Sequence, residues 1–283
     1  VDFPDPVAAA RSFLDRFAEG ARPSRGAFAV ALPVTGDMVK MTNNPWAFSI
    51  EKTRAALGLS RLTVVNDFTA LAMALPRLKP DDRRQVGAGT AQPNKPIALL
   101  GAGTGLGVSG LMPLPGGGWQ AISGEGGHVT MAASDDREGA VIRWLRNHHG
   151  HCSAERVLSG MGIQNLYQAL SAVDGRAADP LEPAVVTERA LAGTDPVCVE
   201  ALSMFCAMLG TVAGNLALTL GAHGGVYVAG GIVPRLGAFF DNSAFRARFV
   251  AKGRFASYLD PIPTYVVTHP LPAFVGLHAL LDG

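Results

Sequence analysis

The chain has 283 residues, of which 48% are hydrophobic and 17% are charged, enough for one large or two medium domains with buried cores. The formal net charge is +1, so composition gives no electrostatic argument for a nucleic-acid partner or an anionic membrane. The three cysteines, Cys152, Cys198 and Cys206, lack paired metal-ligand spacing, and we therefore expect a reducing, cytoplasmic compartment.

The N-terminal part of the sequence predicts an α/β region. Apolar runs at 26–32 and 61–65 are typical of strands. The second run ends in Asn66-Asp67 and continues into a helical segment rich in Ala, Leu and Met. An aspartate at the carboxyl end of a strand lies where α/β domains usually meet ligands, and it can act there as a general base. Alternatively, Asp67 or Thr69 only caps the helix that follows.

A polar segment at 79–84 marks the transition to a second region. There, the runs 96–100 and 106–112 read as strands on either side of the loop Gly101-Ala102-Gly103-Thr104-Gly105. Glycines allow backbone N–H groups to turn toward an anion, and the Thr104 hydroxyl adds a side-chain donor. The loop therefore predicts a phosphate-binding site, although a tight hairpin turn explains the same glycines equally well.

Further polar groups follow in Gly124-Glu125-Gly126-Gly127-His128 and in the segment 153–160, where we expect Glu155 and Arg156 to lie on a helix. Together with Asn66 and Asp67, the side chains of Glu125, His128 and Glu155 form a set of acceptors and donors. Such a set suits a ligand with many hydroxyl groups, each of which both donates and accepts.

The segment His148-His149-Gly150-His151-Cys152 contains residue types that bind zinc. Neighbouring positions do not easily converge on one ion, and a second pair of ligands is not evident nearby. We therefore predict no metal site.

The last third of the sequence predicts a buried helix and a buried strand. Residues 201–234 carry no Asp, Glu, Lys or Arg, but Gly221–Gly225 interrupts them, which argues against a membrane span. Asp195-Pro196 is a typical helix start. The strand 226–229 then leads to Gly230-Gly231, which is either a plain strand-to-helix turn or the same turn with a nucleotide lying on it. A strand at 264–268 and a helix at 272–281 close the chain.

These motifs together resemble the bacterial glucokinases of the hexokinase type. The matching segments occur in the family's order over nearly the whole chain: 33–37, 41–43 with 46–49, 65–70, 101–107, 124–129, 153–160 and 228–235.

The resemblance implies a two-lobed α/β fold of the actin-like ATPase (ribonuclease H-like) class, with the active site in the interdomain cleft. It implies a small domain of residues 1–77 plus 269–283 and a large domain of residues 78–268. The expected activity is ATP-dependent phosphorylation of D-glucose to glucose 6-phosphate, which feeds glycolysis. ATP and Mg²⁺ are the expected cofactors, and the expected assembly is a cytoplasmic homodimer.

The resemblance also implies a role for individual residues. Asp67 would be the general base that takes the proton of the sugar's primary hydroxyl. The residues expected to hold the other sugar hydroxyls are Asn66, Glu125, His128 and Glu155. The residues expected to bind ATP are Gly101, Gly103, Thr104, Gly105, Gly230 and Gly231.

One departure from the family concerns the N-terminal phosphate-binding motif Asp-x-Gly-Gly-Thr-Asn, which the sequence from Val1 onward does not contain. We expect that a preceding segment is missing, and that a polypeptide beginning at Val1 would be severely impaired in catalysis. Two alternatives remain. A non-catalytic sugar sensor would keep the sugar-binding residues, whereas an actin-like assembly protein would need no sugar site.

Overall fold

The computed structural model describes residues 2–18, 20, 22–41 and 44–282. Thr42 and Asn43, which belong to one of the resembling segments, lie outside the described residues. The chain separates into unit 1, residues 1–78 and 270–283, and unit 2, residues 79–269.

Unit 1 is built on a short parallel sheet. Its elements are α1 (Pro6–Phe17), β1 (Arg25–Val30), β2 (Met38–Lys40), β3 (Ala47–Ser49), α2 (Ile50–Ala56), β4 (Arg61–Asn66), α3 (Asp67–Ala74) and α12 (Pro272–Asp282). Strands β1 and β4 pair in parallel, with Val30 opposite Asn66, and β2 pairs with β3 in antiparallel fashion. The strands predicted at 26–32 and 61–65 are confirmed, although β1 ends at Val30.

Helix α3 packs against α12 at very short range. A Cβ atom on Gly276 of α12 would lie under 3.0 Å from the carbonyl oxygen of Ala70 in α3. Only a residue without a side chain allows the two backbones to approach this closely. The position of α3, and with it the start of that helix at Asp67, therefore depends on Gly276.

Unit 2 is built on a larger mixed sheet covered by helices. Its elements are β5 (Arg83–Val86), β6 (Ile97–Ala102), β7 (Leu106–Pro113), β8 (Trp119–Ser123), α4 (Asp136–His149), α5 (Gly160–Val173), α6 (Pro183–Ala192), α7 (Pro196–Leu220), β9 (Val226–Ala229), α8 (Val233–Leu236), α9 (Ala238–Asp241), α10 (Phe245–Val250), α11 (Ala256–Leu259) and β10 (Thr264–Val267).

The strand order in this sheet is β5-β10-β9-β6-β7-β8. Strand β9 lies between β10 and β6 and pairs with both in parallel, whereas β6, β7 and β8 form an antiparallel meander. Strands β6 and β9 are buried along their whole length, as expected for the centre of a sheet that is covered on both faces. Their carboxyl ends bring the glycines of the predicted nucleotide site to the same edge.

Helix α7 is the long apolar helix of unit 2. It begins as predicted, with the Asp195 carboxylate accepting from the N–H groups of Val197 and Cys198 and with proline in its first turn. By length and composition α7 could cross a membrane, but 78% of its most apolar 18-residue window is buried inside the protein. The prediction of a buried core helix is therefore confirmed.

Candidate active site

The junction of β4 and α3 carries two of the predicted site residues, Asp67 as the predicted base and Asn66 as a predicted sugar-binding residue. The Asn66 side-chain oxygen accepts from the N–H groups of Phe68, at 2.9 Å, and Thr69, at 3.3 Å, and so caps α3. The alternative that Asp67 or Thr69 is the cap is therefore wrong. The Phe68 N–H also donates to the Asp67 carboxylate, at 2.9 Å, and the Asn66 side chain is a further hydrogen-bond partner of that carboxylate.

The environment of Asp67 favours a proton acceptor. The side chain is half-buried, and burial raises its pKa above the ordinary value of 3.8, against the opposing effect of hydrogen bonds from Phe68 and Asn66. A carboxylate with a raised pKa accepts a proton more readily than a fully solvated one. The β4–α3 junction thus presents a half-exposed carboxylate at the end of a strand.

In unit 2 the predicted glycine loop is the turn of the β6–β7 hairpin. Gly101 lies opposite Gly107 of β7 and opposite Ala229 of β9. Gly230, which follows β9, has φ of +87°, and a Cβ there would lie under 3.0 Å from the Ala102 carbonyl oxygen. The glycine pairs that were predicted from separate parts of the sequence therefore meet at one edge of the sheet.

The tip of the hairpin is held in place by α5. The Gly103 N–H donates to the Gly105 carbonyl at 2.8 Å, and the Gly160 N–H donates to the Gly103 carbonyl, also at 2.8 Å. Thr104, between the two glycines, is exposed. The loop is therefore a hairpin turn, as the alternative interpretation holds, but one that carries an exposed hydroxyl beside the N-terminus of a 14-residue helix.

Glu155 does not lie on a helix, so the prediction for Glu155 and Arg156 is wrong. The residues form a turn, and α5 begins only at Gly160. The Ala154 N–H donates to the Val129 carbonyl and the Glu155 N–H to the Gly127 carbonyl, both at 2.8 Å. These long-range bonds engage the N–H groups that a helix through this segment would use internally.

The segment 124–128 also forms a tight turn, whose residues 126–128 make one turn of 3₁₀ helix. A Cβ atom on Gly127 would lie under 3.0 Å from the carbonyl oxygen of Leu106, so glycine is required for this turn to rest on β7. The neighbouring side chains of Glu125 and His128 are exposed. Unit 2 therefore joins the turn of Glu125 and His128, the turn of Glu155 and the glycine loop into one hydrogen-bonded edge.

A cavity of about 620 Å³ adjoins this edge. It is lined by residues of α5, α6 and α8, including Gly160, Thr187, Glu188, Gly231 and Arg235. Its volume is typical of small-molecule sites. The contribution of α6 was not predicted, because nothing in the sequence of residues 183–192 connects this helix with Gly231.

The histidines near Cys152 make other contacts. His148 stacks on Trp144 with ring centroids 3.8 Å apart, the His151 ring lies 3.0 Å from the Thr130 hydroxyl, and Cys152 is buried. Among the residues that the structure describes, no group of three or more His, Cys, Asp or Glu side chains could hold a metal ion.

Comparison with known proteins identifies the family to which the chain belongs. A family model described as Glucokinase matches residues 1–283. The chain belongs to the glucokinase family. The glucokinase of Paramagnetospirillum magneticum is 54% identical over 280 residues, which cover 99% of this chain and 87% of that protein. The glucokinase of Chromobacterium violaceum is 54% identical over 92% of this chain and 74% of that protein.

Solved structures of glucokinases share the fold. A glucokinase from an Antarctic psychrotroph superposes with a TM-score of 0.93 at 37% identity and covers 99% of this chain and 87% of that one. A glucokinase from Streptomyces griseus, solved with glucose and AMPPNP, gives a TM-score of 0.56 at 20% identity, over 98% of this chain and 86% of that one. The second likeness concerns the fold alone.

Membership of the glucokinase family identifies the activity of the chain. It is an enzyme that phosphorylates glucose with ATP as the phosphate donor, on an actin-like ATPase fold. Neither the sugar sensor nor the assembly protein receives support from the comparisons.

Proposed function

We propose that Asp67 is the general base of glucose phosphorylation by this glucokinase. The observation that carries the proposal is the half-buried carboxylate at the end of β4, whose pKa burial raises. Phosphoryl transfer needs mainly positioning and charge neutralisation, with one carboxylate to orient the attacking hydroxyl and accept its proton. Asp67 takes the proton of the sugar's primary hydroxyl as the oxygen attacks the γ-phosphorus of ATP, and the bond from that phosphorus to the β,γ-bridging oxygen breaks to release ADP.

The sugar's remaining hydroxyl groups bond to Asn66, Glu125, His128 and Glu155. The cap on α3 uses the Asn66 side-chain oxygen, while its amide group donates to the Asp67 carboxylate and makes a long bond to the Leu32 carbonyl, at 3.4 Å, which a bond to a sugar oxygen can replace. Glu125 and His128 are exposed. A bound sugar covers these groups, so the site selects for sugars that satisfy all of them, because an acceptor that the ligand buries and leaves unpaired is costly.

ATP lies along the edge where β6 and β9 end. Its phosphates face Gly101, Gly103, Thr104 and Gly105, where the Thr104 hydroxyl and the backbone N–H groups that the hairpin does not engage can donate to them. The adenosine passes Gly230 and Gly231, and the base enters the cavity beside α6, which Gly231 helps to line.

Mg²⁺ comes with ATP as part of the substrate. In kinases Mg²⁺ is bound largely by substrate phosphates, water and one or two carboxylates. This chemistry does not require a cluster of three metal-binding side chains, and the described residues contain no such cluster. The ion neutralises charge on the phosphates.

The working form is a homodimer in the cytoplasm, and neither a membrane nor a nucleic acid takes part.

The experiment that tests the function compares glucose with 6-deoxyglucose, which lacks the primary hydroxyl. The full chain is incubated with MgATP and either sugar, ADP release is measured, and the product is examined by phosphorus NMR. We expect ADP release and a 6-phosphate ester with glucose, and with 6-deoxyglucose only the background ATP hydrolysis. Equal ADP release with both sugars, or a phosphate ester at another carbon, would contradict the proposal.

A further inference from the structure

The Glu155 carboxylate is bonded to the glycine loop. One oxygen, Oε2, accepts from the backbone N–H of Leu106 at 2.9 Å, where the loop enters β7. The other oxygen has no hydrogen-bond partner among the described residues. Glu155 is only half-buried, so this second oxygen is available to a ligand hydroxyl while the first holds the loop.

Gly105 makes this arrangement possible. A Cβ atom on Gly105 would lie under 3.0 Å from Oε2 of Glu155, and that oxygen is its nearest contact. The atom in the way is the end of a flexible side chain, so a methyl group at position 105 would push the carboxylate off the Leu106 N–H without forcing the backbone to move.

The backbone around Glu155 connects the same two parts of the site. Its N–H donates to the Gly127 carbonyl, in the turn that carries Glu125 and His128, at 2.8 Å. Five residues later, the Gly160 N–H donates to the Gly103 carbonyl, also at 2.8 Å. The segment 155–160 therefore contacts both the turn assigned to the sugar and the loop assigned to the phosphates.

We infer that Glu155 is a positioning residue that couples glucose binding to nucleotide binding. The inference rests on the proposed function, in which Glu155 binds the sugar and the glycine loop binds the phosphates. A sugar hydroxyl that donates to the second oxygen fixes the carboxylate in the rotamer that holds the Leu106 N–H. The loop is then already ordered when ATP binds, so ATP binding loses less conformational entropy and is tighter.

The coupling is measured as the ratio of the Kd of AMPPNP without glucose to its Kd with saturating glucose. Titration calorimetry gives the Kd of AMPPNP for the full chain without glucose and with saturating glucose. For the wild type we expect glucose to lower this Kd by about fivefold or more, and AMPPNP to lower the Kd of glucose by the same factor, because coupling between binding sites is reciprocal.

Two variants remove the coupling from opposite ends. Glu155→Gln keeps the shape but replaces the second acceptor oxygen with an amide donor, and Gly105→Ala displaces the carboxylate while leaving Glu155 in place. For both we expect the ratio to fall to about one. The substituted residue in Gly105→Ala lies in the loop and is not one of the residues assigned to the sugar, so a lower affinity for glucose in that variant would show that the loop acts on the sugar through the Glu155 carboxylate.

Each variant has a matched control. Glu125→Gln neutralises the other sugar-site glutamate, whose side chain makes no hydrogen bond or ion pair with the described residues of the loop, so it should weaken glucose binding and keep the ratio. Gly103→Ala adds the same methyl group to the same loop where nothing lies within 4 Å, and it too should keep the ratio. Thermal unfolding of all four variants verifies that each is folded.

A ratio in Glu155→Gln and Gly105→Ala that equals the wild-type ratio would overturn the inference and leave the proposed function intact. A wild-type ratio of one would do the same. Failure of the wild type to bind either ligand would overturn both.

Discussion

Gly276 of α12 faces the carbonyl oxygen of Ala70 in α3 with no room for a side chain between them. Asp67 is the first residue of α3, so this contact sets the position of the proposed base. We expect Gly276→Ala to destabilise the protein by about 1–3 kcal/mol through overpacking and to lower kcat. The measurement is urea denaturation together with steady-state kinetics.

Gly139→Ala is the control for this prediction. Gly139 is also helical, but its nearest neighbour would be 3.9 Å from the added Cβ, so the substitution should leave stability unchanged or raise it by up to about 1 kcal/mol. Equal stability of the Gly276→Ala variant and the wild type would show that the helices can separate without cost.

Gly127 supports the turn that carries Glu125 and His128. A methyl group at Gly127 would collide with the Leu106 carbonyl, and because a backbone atom cannot swing away, the turn must shift. We expect Gly127→Ala to raise the KM for glucose by about tenfold or more, since small displacements of positioning groups are costly. Gly124→Ala, with nothing within 4 Å of the added atom, should leave KM nearly unchanged. The prediction fails if the two variants behave alike.

Ala184 lines the cavity in which we propose that the adenine base lies. Ala184→Trp should fill part of that cavity and raise the KM for ATP by about tenfold or more, while the Kd for glucose measured without nucleotide stays as in the wild type. Ala178→Trp, at an exposed position outside the cavity lining, serves as the control. An unchanged KM for ATP in Ala184→Trp would place the base elsewhere.

The raised pKa of Asp67 predicts effects of pH on activity and on stability. The acid limb of kcat/KM should have its midpoint above 3.8, the ordinary value of an aspartate. A carboxyl whose pKa is higher in the folded state favours folding below its unfolded pKa, and that contribution is lost as pH rises through the folded pKa. Ionised Asp67 therefore costs stability at neutral pH.

Asp67→Asn should consequently have a Tm equal to or above that of the wild type at pH 7.5, with a difference that shrinks as the pH is lowered toward 4. Calorimetric scans at several pH values measure this. A Tm that falls at pH 7.5 would mean that the charge of Asp67 stabilises the fold, contrary to the effect of its burial.

Local signals in the sequence were sufficient for several elements. The β-branched run before Asn66 predicted β4, the Asp195-Pro196 pair predicted the start of α7, and the break at residues 221–225 separated α7 from β9. In each case the secondary structure that the local sequence favours is the one that the tertiary contacts also stabilise.

Long-range contacts account for what the sequence did not predict. Glu155 lies in a turn because its N–H bonds to Gly127, which is distant in sequence. A side chain at Gly127 or Gly276 would clash with a carbonyl oxygen of another element. The sequence alone does not indicate which atoms a glycine contacts. Similarly, Asn66 rather than Asp67 caps α3 because its extended backbone precedes the helix, a distinction that depends on where the helix begins.

The most direct test of the account is kcat at saturating glucose and MgATP for Asp67→Asn beside Asp136→Asn. Asp136 is the first residue of α4, as Asp67 is of α3, but it is exposed. We predict that Asp67→Asn lowers kcat by about 10²–10⁴-fold while its Kd for glucose stays within about tenfold, and that Asp136→Asn is unchanged. An Asp67→Asn variant that turns over at the wild-type rate would contradict the assignment of Asp67 as the base.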